Sequence, residues 1–238
     1  MGRIKGILFD KDGTLVDFQA TWFAIGEELA MRAAGGSRPR AEALLMEAGY
    51  DFEHHRFVAD SVFAAGTNAD IVALWYPELS AAERQPMVTE FDTLTAIEGA
   101  AKSVPLPGIR EALAELHGIG LRLGVATNDS TGGAERTLAA LGVSQLFDAA
   151  YGYDAVANPK PAPDIVHAFA DLTGLKVSEI AMVGDNRHDL EMARAGGVGL
   201  AVGVLSGTGT RETLSPLADV VLDSVADLPT LLAQRATA

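Results

Sequence analysis

Cysteine is missing altogether from the 238 residues. That removes disulfide staples, thiolate nucleophiles and sulfur-ligated zinc or iron–sulfur centres from consideration. Basic charge is scarce too: 18 Lys and Arg stand against 32 Asp and Glu, a formal net charge of −14. Duplex nucleic acid or an anionic membrane surface would require a basic face that so acidic a chain does not offer. No run approaches the ~18–20 uninterrupted apolar residues of a membrane span. The opening residues 1–10 hold a basic pair but no long apolar region with a small-residue cleavage site. They read as a strand ending in an acid rather than as a signal peptide, and the expected location is cytoplasmic. No internal repeat or low-complexity tract is found. What is present, 48% hydrophobic and 21% charged residues, is the composition of a globular protein. The length suits one α/β domain, or such a core with a modest insert, and is enough to bury a large core.

The pattern changes twice along the chain. Gly6-Ile7-Leu8-Phe9 is a short apolar run that stops at Asp10, and Asp12-Gly13 is a turn signal. Residues 18–104 then show helical spacings and no clear strand. Helices are expected at 19–31, 41–48, about 57–65, 70–75, and from 81 to about 101. The last of these is opened by the capping-box pattern Ser80-Ala81-Ala82-Glu83. Pro105-Leu106-Pro107-Gly108 marks a boundary. After it, helical stretches alternate with apolar strands at 121–127, 180–184, 198–204 and 220–222. Such alternation reads as a parallel sheet covered by helices on both faces. The expected organisation is a discontinuous α/β core, residues 1–17 and 105–238, interrupted by an all-helical insert at 18–104. An insert after the first strand lies over the carboxyl edge of the sheet, where such sheets bind ligands, and so suits a lid.

Four short motifs carry chemistry. The first, Phe9-Asp10-Lys11-Asp12-Gly13-Thr14-Leu15-Val16-Asp17, places two carboxylates just past a buried strand. That pairing suits one nucleophile and one acid/base. The others are Thr127-Asn128, Lys160 within Asn158-Pro159-Lys160-Pro161, and Val183-Gly184-Asp185-Asn186-Arg187-His188-Asp189. Asp10, Asp12, Asp185 and Asp189 gathered at one edge would repel one another and would tolerate proximity only with a cation. Oxygen ligands without Cys or His suit a hard ion, and Mg²⁺ fits best.

In order and in spacing these motifs resemble those of the haloacid dehalogenase-like superfamily, in its phosphoglycolate phosphatase-like branch. The resemblance implies a Rossmann-like core with a helical cap and a phosphatase that uses Mg²⁺. It implies Asp10 as the nucleophile that forms an aspartyl-phosphate, and Asp12 as the acid/base, with the Asp12 backbone carbonyl on the metal. Asp10 and Asp185 would ligate the metal by side chain, with Asp189 directly or through water. Thr127, Asn128 and Lys160 would hold the phosphate, Lys160 opposite the metal. Gly13 would allow the turn and Thr14 would bond within the loop. Asp12 argues against a dehalogenase, which lacks the second acid. Thr14 fits phosphatases better than sugar phosphomutases, which usually carry Val or Ile there. Gly152-Tyr153-Asp154 also looks like that branch.

The expected substrate is a small phosphorylated metabolite, with 2-phosphoglycolate the best single guess. Sugar phosphates, nucleoside monophosphates and pyrophosphate stay open, as do a sugar phosphomutase, a non-catalytic phospho-ligand sensor and a homodimer. A carboxylate-bearing substrate would call for a basic residue of the insert, from among Arg32, Arg38, Arg40 and Arg56. Lys11 is expected to point away from the acid pair, and His188 toward solvent. His54-His55 is not a metal pair, because adjacent residues do not share a helix face. The glycine-rich stretch 203–210 reads as a flexible loop flanking the site. Trp22, Phe23 and Ile25 are read equally well as cleft lining or as core.

Overall fold

A computed structural model describes residues 4–237; residues 1–3, the head of the expected first strand, and residue 238 lie outside the described residues. In chain order, β1 (Gly6–Phe9) leads into α1 (Phe18–Ala33), α2 (Arg38–Glu47), β2 (Tyr50–Asp51), β3 (Arg56–Phe57), α3 (Val62–Ala65), α4 (Asn68–Trp75) and α5 (Ala81–Lys102). Beyond these come α6 (Ile109–Gly118), β4 (Arg122–Ala126), α7 (Thr131–Leu141), β5 (Ala149–Tyr151), α8 (Asp164–Thr173) and β6 (Ile180–Gly184). The chain continues through α9 (Arg187–Gly196), β7 (Leu200–Val204), α10 (Arg211–Leu214), β8 (Val220–Leu222) and α11 (Leu228–Thr237).

Six strands form one parallel sheet in the order β5-β4-β1-β6-β7-β8. Its central strands are apolar runs because both faces are covered. Ile7 and Phe9 enter one core cluster with Leu113 and Leu138, while Leu8 enters the other with Phe169 and Leu190. That split follows from the two-residue period of a strand. The helices α6, α7 and α11 therefore cover one face, and α8, α9 and α10 the other. The strand β5 is unmarked in the sequence. It is a three-residue edge strand, Ala-Ala-Tyr, and its pairing with β4 defines it.

Residues 18–94 contain a third cluster made only of their own side chains, among them Phe18, Trp22, Ile25, Phe57, Phe63 and Trp75. The stretch is helical except for the hairpin β2–β3, which corrects the all-helical expectation; the helix expected at 57–65 shrinks to Val62–Ala65. The reason is local. The Asp51 carboxylate accepts the Glu53 and His54 amides at 2.9 and 3.1 Å, turning the chain back on itself. Phe57 is then held by Phe63 and Tyr50, at 4.3 and 5.0 Å between ring centroids. The two connections to the sheet run side by side. The Asp17 amide donates to the Val104 carbonyl at 2.8 Å, and the Leu106 amide to the Leu15 carbonyl at 3.1 Å. No helix among the described residues is long and apolar enough to cross a membrane.

Candidate active site

Strands β4, β1 and β6 are neighbours, so the residues that follow them meet at one edge. Asp10 follows β1, Thr127 follows β4, and Asp185 follows β6. All three line a single cleft with Asp12, Asn128, Lys160 and Asp189. Between Asp10 and α1 the chain turns tightly: the Leu15 and Val16 amides both donate to the Lys11 carbonyl, and the Gly13 amide to that of Val16. Gly13 has φ +81°, and a Cβ there would lie 2.6 Å from an Asp185 carboxylate oxygen. Only glycine satisfies both constraints.

Asp10, Asp185 and Asp189 are buried, and each offers an oxygen within 4.8 Å of the others'. The Lys160 ammonium lies between two of them, 2.7 Å from Asp10 Oδ1 and 2.7 Å from Asp189 Oδ1. Burial raises the Asp10 carboxyl well above its ordinary value; Lys160 pulls the other way, and Asp189 and Asp185 add to the rise. Burial, then Asp189, pushes Asp185 up to about 7, against the opposing Thr208 amide. Burial alone would lower Lys160, but Asp10 and Asp189 outweigh it and raise its pKa. Three buried carboxylates with one ammonium form a site deficient in positive charge, with hard oxygen donors. A divalent, oxygen-seeking ion such as Mg²⁺ fits that donor set. The Asp12 side chain is not in this cluster.

The structure brings together every sequence-derived site residue and changes the part of several. Lys11 does not point away from the acids: it is 1% exposed, and its ammonium lies 2.6 Å from Asp12 Oδ2 and 3.1 Å from Asp129 Oδ2. Burial would lower its pKa, but Asp12 and Asp129 reverse that and raise it. The Trp22 indole covers this pair, with Lys11 Nζ 5.1 Å from the ring centroid, and its Nε1–H donates to Asp12 Oδ1 at 2.6 Å. Thr14 bonds outside its loop, donating to Asp185 Oδ1 at 3.3 Å. The Asn128 amide nitrogen is spent on the carbonyls of Ala65 at 2.7 Å and Lys160 at 3.2 Å. His188 is half-buried in the cleft, with Nδ1 3.2 Å from the Ala65 carbonyl, rather than facing solvent.

The loop after β7 is bonded into the site. Thr208 N–H donates to Asp185 Oδ2 at 2.7 Å, and Ser206 Oγ to the Gly13 carbonyl at 2.7 Å. His54 and His55 are exposed, and His54 pairs with Asp51. Asp129, Phe63 and Asn68 belong to none of the sequence motifs, yet all three line the cleft. A lysine placed between two motif acids next to a buried strand needs a second anion if it folds inward, and Asp129 stands at the end of the neighbouring strand.

Comparison with known proteins agrees with this geometry. A family model described as haloacid dehalogenase-like hydrolase matches residues 4–197. The N-acetylmuramic acid 6-phosphate phosphatase of Pseudomonas aeruginosa is 31% identical over 195 residues, 82% of this chain and 79% of that protein. A phosphoglycolate phosphatase of Pectobacterium atrosepticum is 32% identical, over 96% of this chain and 92% of its own. The solved structure of a haloacid dehalogenase-like family hydrolase from Streptococcus pneumoniae shares the fold. Its TM-score is 0.69 at 20% identity, covering 96% of this chain and 98% of that one. Motif order, sheet topology and the convergence of the acids thus lead to one statement: the chain belongs to the haloacid dehalogenase-like hydrolases.

Proposed function

We propose that this protein is a Mg²⁺-dependent phosphatase that hydrolyses a small phosphate monoester through an aspartyl-phosphate on Asp10. The observation that carries the reading is the meeting of Asp10, Asp185, Asp189 and Lys160 in one buried cleft that Asp12 also lines. Residues 1–17 and 105–238 serve as the catalytic core, and residues 18–104 as a cap over its ligand edge. Asp10, Asp185, Asp189 and the Asp12 carbonyl hold the metal, which when bound supplies positive charge to the transferring phosphoryl group. Lys160 adds a fixed charge, and Thr127 holds a phosphate oxygen.

The Asp10 carboxylate attacks phosphorus as the bond to the leaving oxygen breaks, and Asp12 gives that oxygen its proton. Asp12 then takes a proton from water, whose oxygen attacks phosphorus and releases Asp10 and inorganic phosphate. Phe18, Trp22 and Phe63 wall the cleft and limit entry of other water. The names of the relatives support the reaction class and make 2-phosphoglycolate one of the first esters to assay.

The test is phosphate release from a panel of esters, with and without Mg²⁺, for wild type and Asp10→Asn. Mg²⁺-dependent release that is lost in the folded variant is expected. Release that survives the substitution would overturn the covalent route.

A further inference from the structure

The cleft has two unlike halves. Toward the sheet edge lie the carboxylates and Lys160. Toward the insert lie Phe18, Trp22, Phe63, Ile71, Asn68 and His188. Among the described residues lining the cleft, Lys160 is the only Lys or Arg, and both of its ion pairs face the catalytic acids. Lys11 is committed to Asp12 and Asp129 beneath the Trp22 ring. The arginines that could have met an anionic leaving group lie elsewhere. Arg32 pairs with Glu28 and Glu90, and Arg38 with Glu27 and Glu42, on the surface; Arg40 and Arg56 are exposed; none of the four lines the cleft.

We propose that the leaving group of the ester cleaved here is uncharged and hydroxyl-bearing rather than carboxylate-bearing. The inference rests on the phosphatase reading and deepens it. A carboxylate on the leaving group would sit beside Asp12 and Asp129, with no free cation among the described residues lining the cleft. Both desolvation and like-charge repulsion oppose it. A neutral polyol meets complementary groups instead. Its C–H faces pack on the aromatic walls. Its hydroxyls meet polar groups on that side of the cleft: the Ala65 carbonyl and the His188 ring, whose Nδ1 lies 3.2 Å from it. The amide side chains of Asn68 and Asn128 line the same cleft and carry no charge.

The experiment compares esters matched in size, using the full chain with Mg²⁺. One pair is 2-hydroxyethyl phosphate against 2-phosphoglycolate, in which a hydroxymethyl group replaces the carboxylate. The other is glucose 6-phosphate against 6-phosphogluconate. p-Nitrophenyl phosphate, with wild type and Asp10→Asn, reports the chemistry separately. The expected result is a kcat/KM about tenfold or more higher for the neutral member of at least one pair. Asp10-dependent hydrolysis of p-nitrophenyl phosphate with no such preference in either pair, or with preference for the carboxylate, overturns the inference and leaves the phosphatase reading standing. Absence of Asp10-dependent release from p-nitrophenyl phosphate overturns the reading, and the inference with it.

Discussion

At Asp12 both carboxylate oxygens are engaged, one by the Lys11 ammonium and one by the Trp22 indole. These donors fix the direction of a group whose proposed task is to hand a proton to one oxygen atom, a task in which placement decides the rate. Asp12→Asn is expected to lower kcat on an alkyl phosphate by ~10²–10⁴. The loss should be smaller on p-nitrophenyl phosphate, whose leaving group departs without a proton; rates on the two esters check this. Asp185 makes a second residue-level prediction. Its ordinary value is 3.8, and the fold pushes it up to about 7. Between those values the folded protein binds a proton that the unfolded chain does not. The stability this group contributes is therefore full below its unfolded value and is lost as pH rises through about 7. A cation competes with that proton. Melting curves should show a larger gain from Mg²⁺ at about pH 8 than at about pH 5.5, and Mg²⁺ binding near neutral pH should release protons.

Among the elements, the loop after β7 has the largest role beyond its composition. Its Thr208 amide holds Asp185, and Gly207 approaches so closely that a Cβ there would lie 2.0 Å from Asp185 Oδ2. Gly207→Ala must displace either the loop or the carboxylate. Mg²⁺ affinity should weaken about 10–100-fold, as for other supports of a ligand, while the far-ultraviolet circular dichroism stays unchanged. Titration calorimetry of the two proteins checks this. The elements themselves were legible where a local rule sufficed. The Ser80–Glu83 capping box forms as its spacing predicts, and opens α5. The hairpin β2–β3 and the edge strand β5 were not legible. Each is too short to show a period, and a partner strand defines each.

In the molecule as a whole, the insert buries its own core, packs its last helix α5 along α7 of the sheet domain, and adds polar contacts around the cleft. The Ala65 carbonyl, at the end of α3, receives both Asn128 Nδ2 and His188 Nδ1 from the sheet side. Tyr153 donates to Asp92 of α5 at 2.5 Å. Asn128→Ala removes one bond across this junction, worth about 1 kcal/mol. KM should rise about fivefold, and amide exchange in α3 and α4 should quicken; hydrogen-exchange mass spectrometry reads the second effect. The sequence alone determined the α/β alternation and singled out Asp10, Asp12, Thr127, Asn128, Lys160, Asp185 and Asp189, which the fold gathers in one cleft. Those features are written in strand-end motifs and in periodicity, which are local. Only the tertiary structure decided that Lys11 turns inward to Asp129, that Trp22 reaches Asp12, and that the insert's arginines face away from the cleft. These depend on which side chains segments distant in the chain bring within a few ångströms of each other. Nothing in the spacing of residues along a single strand or helix encodes that distance.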